Sequence, residues 1–184
     1  WSWGLKKAND WRERMGRERN ADWDRMADQM APWPVVNGVY VEAESVLEKD
    51  GGHPTQLAAY GFLPASAYLD KEVMRKTLRH VLDNWDWADT WGWDFPLIAM
   101  TAIRLNEPEW ALETLLKSVQ KNTYLPNGHN FQNEGLPLYL PGNGGLLTVV
   151  AMMCAGWDGC TEGNPGFPKN GLWNVKWEGL KPAF

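Results

Sequence analysis

The sequence predicts a mainly α protein: about three helical hairpins laid out as part of a double-layered toroid, followed by a short β-like C-terminal tail. Three observations predict it. Charged amphipathic helical patterns alternate with apolar ones along the chain. Two stretches, Phe95–Leu105 and Gly145–Ala155, are apolar on nearly every side. Each of these is entered through a compact loop of aromatic, Gly, Pro and polar residues, Thr90–Pro96 and Tyr139–Gly145. A helix apolar all round must be enclosed by others, so repeating the pair gives an outer solvated layer and an inner layer around a core. An α-solenoid also stacks helix pairs, but its repeats keep a fixed period and these units differ in length and loop size.

Each element has its own local warrant. From Leu5 to Met30 scattered apolar positions (Leu5, Trp11, Met15, Trp23, Met26, Met30) suit an amphipathic helix, with a break near Arg19–Asn20. Pro32 and Pro34 end it. Val35 to Gly52 reads as a long loop with a short extended piece at Gly38–Val41. Pro54 to Phe62 is a short apolar helix, its Pro at the favourable first turn. Asp70 is placed to cap an amphipathic helix running to Trp85, with Val73, Met74, Leu78, Val81 and Leu82 on one face. After the first apolar helix, Glu107–Val119 carries Trp110, Leu112, Leu115, Leu116 and Val119 inward, and a polar Asn/Gly/His loop spans Asn122–Gly135. Beyond Trp157 the composition turns to Gly, Pro and Asn, and Leu172–Trp177 alternates like a strand. The expected organisation is therefore a helical region, 1–157, and a Gly/Pro-rich linker opening a β segment, 158–184.

Composition narrows the chemistry. The 184 residues suffice for one substantial core, and their net charge of −5 lacks the phosphate-neutralising surface of a nucleic-acid binder. The 13 Trp suit either repeated architectural packing or flat faces that stack on sugars. Two Cys make neither a disulfide framework nor a metal pattern, the three His are dispersed, and no metal or other cofactor is expected. No window approaches the ~18 apolar residues of a membrane span, so no membrane partner is expected. The chain starts at Trp1 without a Met or a secretory signal, so either processing removed its start or it is a piece of a longer protein, and the helix pattern favours the second reading.

The candidate site residues follow from this frame. Glu42 and Glu44 lie in the loop before His53, on one side if the segment is extended, and are candidates for catalysis or for sugar hydroxyls; the other reading is a solvated acidic loop. His53 at a helix start is placed either to bind a hydroxyl or to satisfy local backbone. Trp91 and Trp93 offer stacking faces, and Asp94 between them is placed to cap the apolar helix, to bind sugar, or both. The loop bearing His129, Asn130, Gln132 and Glu134 is dense in groups that donate and accept together, which suits hydroxyl recognition and an ordinary surface loop alike. Asn143, between glycines, either faces the pocket or holds the turn. Gly142–Gly145 lacks the Lys and preceding strand of a phosphate loop.

These residues together resemble the six-hairpin (α/α) toroid glycoside hydrolases, and in layout the C-terminal part of the family ninety-five α-L-fucosidases and α-galactosidases. His53–Pro64 is similar to the family's His-x-Ser-His-Leu-Tyr run leading to a Pro. Gly92-Trp93-Asp94 through Ala102-Ile103-Arg104-Leu105 is similar to its Gly-Trp-Ser-x-x-Trp helix ending in Ala-Arg-Leu. Tyr124–Asn127 and Leu138–Gly144 stand where the family has its Tyr-Pro-Asn-Leu and Phe-Gln-Ile-Asp-Gly-Asn-Phe-Gly segments, and Trp173–Leu180 echoes its Trp-Pro tail. The resemblance spans about Tyr40 to Leu180 and rests on order more than identity. It implies half of an (α/α)6 toroid acting on oligo- or polysaccharides in a secreted or periplasmic bacterial setting. The other, N-terminal half of the protein would be its partner and would carry the general acid. The family's Asp of Asp-Gly-Asn falls on Pro141, which cannot act as a base, so Glu134 is the local substitute. Two other activities remain open: a non-catalytic glycan-binding helical domain, and a phosphorylase or polysaccharide lyase on the same fold.

Overall fold

The computed structural model describes residues 1–43, 45, 52–64, 66 and 68–184. They form two compact units, Trp1–Trp33 and Pro34–Phe184.

The first unit is an antiparallel helical hairpin, α1 (Ser2–Arg14) and α2 (Ala21–Asp28). The expected break falls at Asn20, whose side chain accepts from the Asp22 and Trp23 N–H groups and starts α2 as an N-cap. Buried Asn9 donates to the Asn20 carbonyl at 2.9 Å and accepts its N–H at 2.8 Å, while the Ser2 hydroxyl donates to the Ala27 carbonyl at 2.9 Å. Arg19 completes the turn by pairing with Asp10, Glu13 and Asp24 at 3.0, 2.9 and 2.8 Å.

The second unit begins with a two-residue hairpin, β1 (Val35–Val36) against β2 (Val39–Tyr40). Asn37 and Gly38 between them both take positive φ, as a tight hairpin turn requires. The extended piece expected at Gly38–Val41 is thus the second arm of a hairpin. Tyr40 docks it: its N–H donates to Thr77 Oγ1, and its hydroxyl accepts the Asp70 N–H. A 3-10 turn, Thr55–Leu57, leads into α3 (Ala58–Gly61). Asp70 caps α4 (Lys71–Asn84) through the Glu72 and Val73 N–H groups, and α4 buries Met74, Leu78 and Val81.

The centre of the unit is α5 (Asp94–Arg104), in which every residue is buried. Its all-round apolar sequence is matched by neighbours on several sides: α3, α4, α6 (Pro108–Leu115) and α7 (Leu140–Ala155) all pack against it. The approach to α3 is close enough that Gly61 has no room for a Cβ beside Thr101, whose hydroxyl donates to the Leu57 carbonyl.

The other apolar helix behaves differently. It starts earlier than Gly145, taking in Leu140 and Pro141, which as an early helical residue has no N–H to lose. Gly142, Val149, Met152, Met153 and Cys154 are buried, but Leu140, Leu147 and Val150 are exposed, Leu147 to 73%. An apolar sequence on every face is therefore buried on every face in α5 and on one side in α7.

Between α6 and α7 a short ribbon, β3 (Thr123–Tyr124) with antiparallel β4 (Asn130–Phe131), carries the polar loop. The tail departs from expectation. Leu172–Trp177 forms no strand among the described residues. Alternation alone makes no strand, because ladder bonds need a neighbour. Residues 158–184 lie in the same compact unit as the helices before them. Gly166 donates to the Met153 carbonyl with no space for a Cβ, and Ala183 exchanges bonds with Gly156 and Asp158. Buried Arg104 donates to the Tyr60 and Leu63 carbonyls and lies 3.7 Å from Asp158 and 5.3 Å from the Phe184 ring centre.

Candidate functional site

The candidate site is the N-terminal end of α5. Asp94 is the first residue inside that helix, not the residue before it, so its side chain folds back over the preceding loop. The N-cap position is Trp93, which makes no side-chain cap. The expected capping role of Asp94 is thereby replaced by another. One carboxyl oxygen, Oδ2, accepts the Thr90 hydroxyl at 2.7 Å and the Trp91 N–H at 2.9 Å. The other, Oδ1, lies 2.8 Å from Nδ1 of His53. Thr90 is itself oriented by the Trp85 indole N–H, which donates to its oxygen at 3.0 Å.

Around this buried carboxyl the rings gather. The Trp93 indole nitrogen lies 2.9 Å from the same Nδ1 of His53. The His53 ring centre is 5.0 Å from Trp93 and 5.8 Å from Trp91, and Trp91 is 5.5 Å from Tyr139. The two loops singled out in the sequence therefore meet, Trp91 and Trp93 coming from one and Tyr139 from the other. Burial pushes the Asp94 carboxyl above its ordinary range, against the opposing pull of Thr90, Trp91 and His53. Burial and the nearby Asp94 likewise push the Tyr139 phenol up.

A second group of residues builds the support. Gln132 is buried; its side-chain oxygen accepts the Gly92 N–H at 2.9 Å and its nitrogen donates to the Thr90 carbonyl at 3.1 Å. Asn130 is also buried, donating from its side chain to the Lys121 and Thr123 carbonyls while its own carbonyl accepts the Tyr139 N–H. Asn143 accepts the Asn130 N–H and donates to the Gly128 carbonyl at 2.7 Å. Gln132 and Asn143 thus commit their amides, and Asn130 its side-chain nitrogen, to holding backbone, which positions the loops around Asp94.

The remaining expectations are placed as follows. His129 is half-buried on the β3–β4 loop, and its N–H donates to Asn127 Oδ1. Glu134 is exposed in the turn after β4, and Glu42 is exposed just after β2. Glu44 lies outside the described residues. The carboxyl at the heart of the cluster is Asp94, rather than a loop glutamate. Thr90, Tyr139 and Trp85 belong to the cluster without having been singled out as site residues. Thr90 and Tyr139 open the two Gly/Pro-rich loops, and that was the signal available for them.

Among the described residues no group of His, Cys, Asp and Glu could hold a metal ion, and Cys154 and Cys160 are both free. No helix among them is long and apolar enough to cross a membrane. Comparison with protein-family models, curated proteins and solved structures finds no match for the chain.

Proposed function

We propose that this chain is part of the catalytic domain of a glycoside hydrolase acting on oligo- or polysaccharides, with the N-terminal end of α5 as its sugar-facing surface. The observation that carries the reading is the convergence of His53, Trp91, Trp93 and Tyr139 around buried Asp94. Indole rings present flat apolar faces that match the C–H face of a pyranose, while an imidazole and a phenol bond its hydroxyls. The net charge of −5 favours neutral over phosphorylated ligands. Hydrolysis needs two carboxyl groups roughly 5–10 Å apart across the scissile bond. In this proposal further hairpins of the toroid supply the general acid.

One observation favours a second reading, glycan binding without turnover. Asp94 is fully buried and held on both carboxyl oxygens, so it is not free to protonate a glycosidic oxygen or activate water.

Incubating the full-length protein with a panel of neutral oligosaccharides separates these readings. Release of reducing ends, lowered at least tenfold by Trp91→Ala, is the expected result. Binding without product selects the second reading, phosphate-dependent product marks a phosphorylase, and an unsaturated product marks a lyase. Neither binding nor turnover of any neutral glycan overturns the proposal.

A further inference from the structure

We infer that Asp94 locks His53 as its Nδ1–H tautomer, so that the site offers a bare Nε2 as hydrogen-bond acceptor for a hydroxyl of a saccharide stacked on Trp91. The inference rests on the sugar-facing reading of this surface and adds the atom that discriminates among ligands. Two groups approach Nδ1: the Asp94 carboxyl at 2.8 Å and the Trp93 indole nitrogen at 2.9 Å. A ring nitrogen carries either a hydrogen or a lone pair, so it cannot donate to the first and accept from the second.

The surroundings of Asp94 decide between them. Its Oδ2 already accepts two hydrogen bonds, from Thr90 and from the Trp91 N–H, and both favour the ionised carboxylate against the opposing effect of burial. Thr90 Oγ1 accepts from Trp85, so its hydrogen is left for Asp94. Oδ1 of the same carboxylate then needs a donor, and in a buried position its loss is more costly than the loss of one indole bond. The Nδ1 hydrogen is that donor, with Asp94 fully buried behind it. Neutral imidazole holds one hydrogen, so Nε2 is left with its lone pair.

That lone pair has somewhere to act. The His53 side chain is 30% exposed and Trp91 is 37% exposed, their ring centres 5.8 Å apart. Among the described residues nothing bonds to Nε2. Neither indole can accept a hydrogen bond in the ring plane, so His53 supplies an acceptor that the two Trp cannot. A site built to accept from a hydroxyl rejects a deoxy or O-methyl analogue, because the acceptor is then left unpaired. Asp94 is accordingly a positioning residue, and His53 the specificity-determining one.

The test is nitrogen-15 NMR of the histidine rings in the whole chain at neutral pH, with His53 assigned by the signals lost in His53→Gln. The expected spectrum has Nδ1 protonated and Nε2 bare, and Asp94→Asn, whose amide can donate to Nδ1, moves the hydrogen to Nε2. A wild-type ring protonated on Nε2 overturns the inference, and so does an Asp94→Asn ring that keeps the wild-type tautomer. If the Asn variant does not fold, the wild-type spectrum still decides. Titration with D-galactose, L-fucose and their O-methyl derivatives reads the second half. A change in tryptophan fluorescence that is lost in Trp91→Phe, together with a shift at His53 Nε2 and binding weakened at least tenfold for one derivative, supports the acceptor role. Sugar binding at Trp91 with Nε2 unmoved overturns that role. The expected tautomer with no sugar bound overturns the glycan reading alone.

Discussion

The side-chain amide of Asn130 fills the space beside Gly142 so fully that any Cβ on Gly142 would collide with it, and the same amide blocks a Cβ on Gly92. One buried side chain thus sets the approach of both loops that meet at the site. Its oxygen has no hydrogen-bond partner among the described residues and lies against the two glycines.

Gly142→Ala and Gly92→Ala are therefore expected to destabilise the fold by about 1–3 kcal/mol each, the usual cost of overpacking. Gly144, two residues along in α7, faces open space. Gly144→Ala is expected to stabilise by about 0.5–1 kcal/mol, since alanine orders more easily in a helix. Urea denaturation of the three variants checks the contrast, and equal effects at positions 142 and 144 would refute it.

Two carboxyl groups give opposite pH dependence. Burial raises the folded-state pKa of Asp94 above the ordinary 3.8, so the folded chain holds this proton more tightly than the unfolded chain. Its contribution is full below that value and is lost as pH rises through the raised pKa. Arg19 holds Asp24 down at about 2, so its stabilisation is present above the ordinary 3.8 and is lost as pH falls towards 2. Asp24 is only half-buried, and solvent screening makes its effect correspondingly small. Denaturation across the acid range is expected to lose the first slope in Asp94→Asn and the second in Asp24→Asn.

The two sides of α7 respond differently to substitution. Met152 is buried, and Met152→Ala is expected to cost about 2–5 kcal/mol. Leu147 is exposed, and Leu147→Lys is expected to change stability by less than about 0.5 kcal/mol. Thermal melts of both variants make the comparison. A loss at position 147 as large as that at 152 would show that Leu147 is covered in solution.

Arg104 ties α5 to α3 and to the segment that follows it, through the Tyr60 and Leu63 carbonyls. Arg104→Met keeps much of the stem but leaves these acceptors without their donor, at about 1–3 kcal/mol each. Because Arg104 also faces Asp158 and Phe184, the variant is expected to expose the C-terminal segment to early proteolysis. A cleavage pattern unchanged from wild type would count against that coupling.

The sequence alone determined the features that depend on near neighbours. The Asp70 cap, the break at Asn20 and the core face of α4 follow from spacings of a few residues. The burial of α5 was legible because eleven successive helical residues with no exposed polar face leave no side for water. The site was legible in part: His53, Trp91, Trp93 and Asp94 do come together. Tertiary structure decided what each does. His53 and Asp94 are 41 residues apart, and nothing local states that a carboxyl beside Trp93 will turn away from its own helix to meet an imidazole. Nor could local pattern distinguish α5 from α7, or show that Leu172–Trp177 would find no strand to pair with. Propensity and periodicity act over one or two turns, whereas burial, ladder pairing and the protonation of a shared site depend on which distant groups arrive.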